Sequence, residues 1–240
     1  MIRHAVIFSP LGQATRVEQV IARLSHAIIT GLLEANEQLP NEAELAKLMG
    51  VSHITIREAL NTLRSQSLIY TTRGRHGGSF INKISSEQRV KQHPLHQLSS
   101  DYLSDLGEFH AAIVLRSTKL ALQRTTVKEL TKLKHCIDVF AEASTAEFRA
   151  QSDMRCLLTI VANAQSARLA NQALMLQSEW APLIAVLYQK DEIHTAMSTL
   201  YLEFFEQFSQ KNTQAIHCIE QIFMHLTDEL LNQKFKLKTL

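Results

Sequence analysis

The sequence predicts a mainly α chain whose helices are interrupted once, near the front, by a small β-hairpin. Three observations predict it. Only 7 Gly and 4 Pro punctuate the 240 residues, and beyond the early eighties the sole glycine is Gly107, which favours long helices over a large sheet. Apolar residues recur at spacings of three and four through most of the chain, as they do on one face of a helix. A glycine-rich basic tip, Arg73-Gly74-Arg75-His76-Gly77-Gly78, lies between two β-prone runs, Leu68-Ile69-Tyr70 and Ser79-Phe80-Ile81, and reads as a hairpin.

Residues 1–15 form an N-terminal arm. The apolar run Ala5 to Phe8 is too short for a signal peptide and is ended by Ser9 and Pro10, and no stretch approaches the roughly 20 apolar residues of a membrane span. Val17, Val20, Ile21, Leu24, Ala27 and Ile28 then mark one face of a helix that Gly31 allows to stop. Asn41 is placed to cap a second helix, with Glu42 and Glu44 in the first turn, where the macrodipole favours anions. Leu45, Ala46 and Leu48 supply its expected inner face. Gly50 closes that helix, and Ser52 caps a third carrying Ile56, Ala59, Leu60 and Leu63 inward. Two short helices joined by a tight turn make a helix-turn-helix, and the hairpin that follows is its wing.

Residues 84–100, with Ser85, Ser86, Gln88, Gln92, Pro94 and Gln97, lack sustained apolar periodicity and read as a linker. Helical patterns follow over roughly 101–124, 127–143, 146–163, 166–189, 191–210 and 213–233, an all-α bundle without a repeat period. The net charge is +2. Through Lys83 there are 9 Lys+Arg against 6 Asp+Glu, and beyond it 16 against 17, so the slight basic excess sits with the helix-turn-helix, where Arg57, Arg64, Arg73 and Arg75 fall close together. Cys136, Cys156 and Cys218 are odd in number and show no C-x-x-C spacing, which points to reduced thiols and a cytoplasmic location. No nucleophile-elbow, P-loop, H-E-x-x-H or dinucleotide motif is present, so the sequence offers nothing to an enzyme.

Gly31-x-Leu33, Leu39-Pro40-x-Glu42, Glu44-Leu45-Ala46, Gly50-Val51-Ser52 and Ile56-Arg57-Glu58-Ala59-Leu60 stand in one order over residues 16–82, ending in Gly74-Arg75-His76-Gly77-Gly78-Ser79-Phe80-Ile81. This stretch resembles the GntR family of bacterial transcription regulators. The resemblance implies a winged helix-turn-helix DNA-binding domain over 16–83, with the third helix in the major groove and the wing along the backbone or minor groove. The residues it points to for DNA contact are Ser52, His53, Thr55, Arg57, Arg75, His76, Gly77 and Gly78. Arg57 stands out because a guanidinium binds a guanine edge bidentately or clamps phosphate, although a solvated surface charge is its plain alternative. Two positions depart from the family pattern, Ala43 and His53, where arginine is common. Asn36 stands where glycine is usual and tolerates the left-handed backbone better than most residues.

Residues 101–240 resemble the all-helical effector-binding and dimerisation domain of the FadR-type (FCD) branch. Leu115-Arg116, Asp153 on a helix ending near Asn163, and His225-Leu226 on the last helix carry that resemblance. Many members bind a divalent metal such as zinc or nickel through an aspartate and a histidine four residues later, plus two further histidines. Here Asp153 is present, but Leu157 stands four residues on and Tyr201 at a later ligand position, leaving Asp153 and His225 as a residual pair. A leucine offers no lone pair, so no metal cofactor is expected. Arg116, Asp153, Leu157, Tyr201 and His225 are the expected effector-site residues, with Arg116 the candidate partner for an organic acid or acyl-CoA-like ligand. His194 and His217 read as packing or surface residues. The function implied is a homodimeric repressor released from a pseudo-palindromic operator by a small metabolite. The alternatives are an effector-independent architectural DNA-binding protein and a metal-dependent carboxylate sensor of the same family.

Overall fold

The structure, a computed structural model, describes residues 16–74, 77–85, 88 and 93–238. The chain divides between Pro94 and Leu95 into two compact units.

In the first unit, α1 (Arg16–Ile29), α2 (Glu42–Met49) and α3 (His53–Ser65) precede a hairpin of β1 (Ile69–Thr72) and β2 (Gly78–Ile81). α1 and α2 both pack on α3. Val20, Leu24, Leu45, Met49, Ile56, Ala59 and Leu63 are completely buried between them. The inner stripe of α2 is Leu45, Ala46 and Met49, whereas Leu48, expected to point inward, is 44% exposed. In a helix of two turns, a one-residue change of phase is enough to make that exchange.

β1 and β2 pair antiparallel, with Ile69 opposite Ile81 and Tyr70 opposite Phe80, whose rings stack with centroids 5.6 Å apart. The sequence reading missed a third edge. Residues 36–39 run beside β2, with Asn36 N–H donating to Ile81 O, Ile81 N–H to Glu37 O and Leu39 N–H to Ser79 O, at 2.9, 3.0 and 2.9 Å. Asn36 enters this edge at φ 65°, the left-handed conformation asparagine tolerates.

The second unit contains α4 (Ser100–Arg124), α5 (Val127–Ala141), α6 (Ala146–Asn163), α7 (Ala167–Ile184), α8 (Asp191–Ser209) and α9 (Gln214–Lys238), with 3₁₀ turns at Pro94–His96 and Leu187–Gln189. α4 lies against α9, α6 and α7, while α8 joins α9 to α5 and α5 packs on α6. The sequence pattern ran a single helix over 166–189, but the structure ends α7 at Ile184 and restarts as the 3₁₀ turn. Pro182, inside the last turn, has no N–H to give the helix. The end of the expected linker belongs to this unit, because Leu95 is fully buried and its carbonyl accepts from the buried Lys234 ammonium at 2.9 Å. Among the described residues no helix is long and apolar enough to cross a membrane.

Gly107 sits where α4 meets α9, and a Cβ there would lie 2.4 Å from Thr227 Oγ1 and 3.1 Å from its Cγ2. Threonine is β-branched, so a χ1 change that moves Oγ1 carries Cγ2 with it, and relieving the contact takes a rotamer change or a shift between the helices. Gly107→Ala should therefore lower stability by about 1–2 kcal/mol, overriding the roughly 1 kcal/mol that alanine gains over glycine inside a helix. The double variant Gly107→Ala/Thr227→Ala should recover most of the loss. Urea unfolding of the two variants and Thr227→Ala measures the coupling.

Candidate nucleic-acid interface and sensor interior

The junction from α2 to α3 is set by local chemistry. Asn41 and Glu44 cap α2 reciprocally, with Glu44 N–H donating to Asn41 Oδ1 at 2.9 Å and Asn41 N–H to Glu44 Oε2 at 3.1 Å. Gly50 ends that helix at φ 67° and ψ 35°, a left-handed cap that glycine adopts without a Cβ penalty. Two residues later Ser52 opens α3, its Oγ accepting Thr55 N–H at 3.1 Å and lying 2.9 Å from Thr55 Oγ1. Ser52 and Thr55 thus already serve the helix start, and their hydroxyls are presented together at its N-terminus.

With Ile56, Ala59, Leu60 and Leu63 turned inward, α3 leaves His53, Ile54 and Arg57 exposed. The Arg57 side chain is 69% exposed, and its Nε and Nη2 both donate to Glu42 Oε2 at 3.2 Å. A pair this exposed contributes at most about 1 kcal/mol, so it orients the guanidinium without locking it. Ile54 was not singled out in the sequence, yet it is 70% exposed beside the capping serine. The available signal was its place between two expected contact residues.

In the wing, Arg64 links α3 to β1, with Nε donating to Thr71 Oγ1 at 3.1 Å and Nη1 to Asn61 Oδ1 at 2.7 Å. Gly77 is required by the wing's own backbone, whereas Gly78 faces only the movable amide end of Gln38. A Cβ on Gly77 would meet Thr72 O at 2.6 Å and Gly74 O at 2.9 Å, and one on Gly78 would meet Gln38 Nε2 at 2.6 Å. Arg75 and His76 lie outside the described residues.

The second unit is organised around Asp153, which is fully buried on α6. Its Oδ1 accepts from Tyr201 Oη of α8 at 2.7 Å and from Tyr188 Oη of the 3₁₀ turn at 2.9 Å. Its Oδ2 has no partner. Burial pushes the carboxyl up to about 6, partly opposed by the two phenolic hydrogen bonds. Burial and the carboxylate beside them push both phenols well above their ordinary range, so they remain neutral donors. Phe140 touches the rings of Tyr188, His194 and Tyr201 edge-on, and its carbonyl accepts from His194 Nε2 at 2.7 Å. Arg149, one turn before Asp153, reaches Ala143 O, Tyr188 O and Asp191 at 3.0, 3.1 and 2.8 Å, fixing the turn that delivers Tyr188.

Of the expected effector residues, Asp153, Leu157 and Tyr201 are buried together in this unit. Arg116 and His225 are not buried with them. Arg116 is exposed, off the buried stripe of α4 that runs through Leu103, Gly107, His110, Val114, Thr118 and Ala121. His225 is half-buried, while Ile222, Phe223 and Leu226 near it on α9 are buried. His194 packs internally, whereas His217 is 52% exposed beside Glu220. Sequence reasoning missed Tyr188, which fell at the end of an apparently continuous helix. It also missed the cluster of His110, Gln177 and Trp180, all fully buried.

Residues 16–81 match the family of bacterial regulatory proteins called gntR. RmpR of Mycobacterium gastri, by name an HTH-type transcriptional regulator, is 32% identical over 94% of this chain and 85% of its own length. The chain belongs to the gntR family of bacterial regulatory proteins. An Escherichia coli K12 relative named as a regulatory protein of an L-lactate dehydrogenase operon is 33% identical over 60% of this chain and 56% of that protein. The solved structure of E. coli McbR/YncC covers 92% of this chain and 99% of its own, at 18% identity and a TM-score of 0.55. That likeness extends the shared fold across both units. This GntR-family protein is a DNA-binding transcriptional regulator, like its relatives.

The divalent metal allowed for by the sequence resemblance does not fit the donor set of this regulator. One Asp153 oxygen already accepts two phenolic protons, and the next turn of α6 offers the buried side chain of Leu157. His225 on α9 is only half-buried, and among the described residues no three His, Cys, Asp or Glu side chains stand together as a metal site would need, so a hard cation would be left undercoordinated.

The raised Asp153 value gives a signed pH prediction. The folded protein holds this proton more tightly than the unfolded chain, so the contribution is complete below 3.8, falls as pH rises toward about 6, and stays lost above it. Asp153→Asn keeps an oxygen acceptor and removes the titration. Relative to wild type, the variant should gain on the order of 3 kcal/mol between pH 4 and pH 7. Paired urea titrations across that range test this, and a pH-independent difference would place the ordinary carboxylate value on Asp153.

Proposed function

We propose that this GntR-family regulator is a ligand-responsive repressor of the FadR-type (FCD) branch. It acts as a homodimer on a pseudo-palindromic operator, from which a small metabolite releases it. The observation carrying the reading is the contrast between the units. The first presents the exposed cation Arg57 on a capped helix, while the second encloses a set of buried polar atoms without partners. A recognition helix needs exposed donors for phosphate and base edges. An interior built only for architecture has no use for unpaired polar atoms, each of which costs about 1–3 kcal/mol.

On DNA, Arg57 exchanges Glu42 for a phosphate or a guanine edge, His53 and Thr55 flank it, and Ser52 donates to phosphate. Ile54 supplies an apolar contact suited to a thymine methyl. Arg75, His76, Gly77 and Gly78 carry the wing along the duplex. Two-fold pairing doubles the small interface of one winged domain, and effector binding alters the half-site spacing that the pair spans. Inside the sensor, Asp153 and Tyr201 remain ligand-facing candidates. Arg116, being exposed, supplies no buried cation to an organic acid or acyl-CoA-like effector.

Selection of bound sequences from a random duplex pool should return a two-fold pseudo-palindrome. Against that duplex, Arg57→Ala should weaken binding by about 1–3 kcal/mol with no change in helical circular dichroism. Fluorescence anisotropy reads the affinity, and an unaltered Kd would reduce Arg57 to a surface charge. Adding metabolites to the same assay tests release: a regulator whose operator affinity none of them changes is not ligand-responsive.

A further inference from the structure

We infer that His110, Gln177 and Trp180 form a recognition site for an uncharged, flat ligand carrying an amide or lactam group, rather than for an organic anion. This deepens the proposed function and rests on the reading of the helical unit as a sensor.

His110 and Trp180 come from two helices and meet Phe223 of a third, with Gln177 one turn before Trp180. His110 on α4 lies edge-on to Trp180 of α7, with centroids 5.7 Å apart, and to Phe223 of α9 at 4.8 Å. Trp180 and Phe223 close the triangle at 5.8 Å. Gln177 precedes Trp180 by three residues and so shares its face of α7. All three polar side chains are completely buried. Both His110 nitrogens, both ends of the Gln177 amide and the Trp180 indole Nε1 have no hydrogen-bond partner. A buried polar group without a partner carries its full desolvation penalty, and here five such atoms stand on two neighbouring helices.

Their chemistry sets the ligand class. A neutral imidazole offers one donor and one acceptor, the glutamine amide two donors and an acceptor, and the indole one donor. An amide or lactam presents a carbonyl and an N–H side by side and complements that set. The rings of Trp180 and Phe223 favour a flat shape. Nothing in the group carries positive charge, because burial pushes His110 down to about 3. The buried cations of the unit are engaged elsewhere: Lys234 with the Leu95 carbonyl, and Arg149 with two carbonyls and Asp191. An anion would enter without a counter-charge, which is strongly unfavourable in an interior.

The test compares neutral probes with acid isosteres: nicotinamide with nicotinate, benzamide with benzoate, and uracil with orotate. Thermal unfolding of the full-length protein is followed with each, for wild type and for His110→Phe/Gln177→Leu, which keeps approximate shape and removes four of the five atoms. Wild type should show a saturable rise in Tm with at least one neutral probe, and its acid partner should bind at least about tenfold more weakly. The double variant should lose that response and melt higher than wild type in the absence of probe, since it no longer buries unpartnered groups. A lower Tm for the probe-free variant would mean that these atoms are satisfied within the fold, and overturns the site. So would absence of a response to every neutral probe, or an acid that protects wild type and variant equally. In that last case ligand sensing itself survives, whereas a broad metabolite panel that shifts neither protein's Tm nor its operator binding overturns both.

Discussion

A carboxylate buried without a cation is the constraint on which the helical unit depends. Removing Asp153 from water is costly unless its charge is suppressed or hydrogen-bonded, and the fold does some of each. Burial raises its affinity for a proton, and two phenols donate to one oxygen, each such bond to a charged acceptor contributing about 1.5–3 kcal/mol. Those phenols arrive from different directions. Tyr201 comes along α8, and Tyr188 comes only because α7 stops at Ile184 and a 3₁₀ turn follows. Arg149 then braces the turn through the Tyr188 carbonyl, and Phe140 fills the space among three rings. A break in a helix, an interhelical brace and an aromatic cluster all follow from placing one acidic side chain.

The DNA-binding unit treats polarity in the opposite way. Its core is aliphatic, and most of its polar groups serve caps and turns or face solvent, although Gln19 Oε1 is buried without a partner. Gly50 and Ser52 fix where α2 stops and α3 begins. The recognition surface is therefore positioned by backbone conformation rather than by contacts that binding would have to break. The Arg57–Glu42 pair is the exception, and its exposure makes it weak. A phosphate contact would also gain from counterion release, so a duplex placed against α3 would compete with Glu42 for the guanidinium. In the wing, β1 and residues 36–39 flank β2 on its two sides.

What was legible in the sequence was local chemistry. Asn41 with Glu44, Gly50, Ser52 and the left-handed Asn36 each announce a backbone state that depends on few neighbours, and each adopts it. What depended on packing was less legible. Leu48 and Met49 exchange places because the phase of a two-turn helix is decided by α3. The break after Ile184 was hidden in a run that stays apolar on both sides of it, although Pro182 was a visible sign. Arg116 and His225 were reached through family spacing, and the helical stripe was the better guide on α9. Its buried residues include Ala215, Cys218, Ile219, Ile222, Phe223, Leu226 and Leu230, a three-and-four rhythm that passes over position 225. The polar members of such a stripe are the hardest to read. His110 sits among apolar neighbours at a core position, and nothing in its spacing tells whether it is satisfied there.

The two units thus differ in where they leave polar groups unsatisfied, and that difference bears on regulation. Exposed groups on α3 are hydrated, so leaving them unpaired costs the free protein little. Asp153 Oδ2 and the polar atoms of His110, Gln177 and Trp180 are buried without a partner among the described residues, and each such group carries its desolvation penalty. An occupant that supplies partners is then linked to folding by mass action, and at a hundred times its Kd it adds about 2.7 kcal/mol. That is comparable to the penalty of one or two unpaired groups. A bundle built solely to hold two DNA-binding domains together would gain by filling these positions with leucine and phenylalanine. Retaining polar side chains there makes sense for a domain whose state is meant to depend on what it binds.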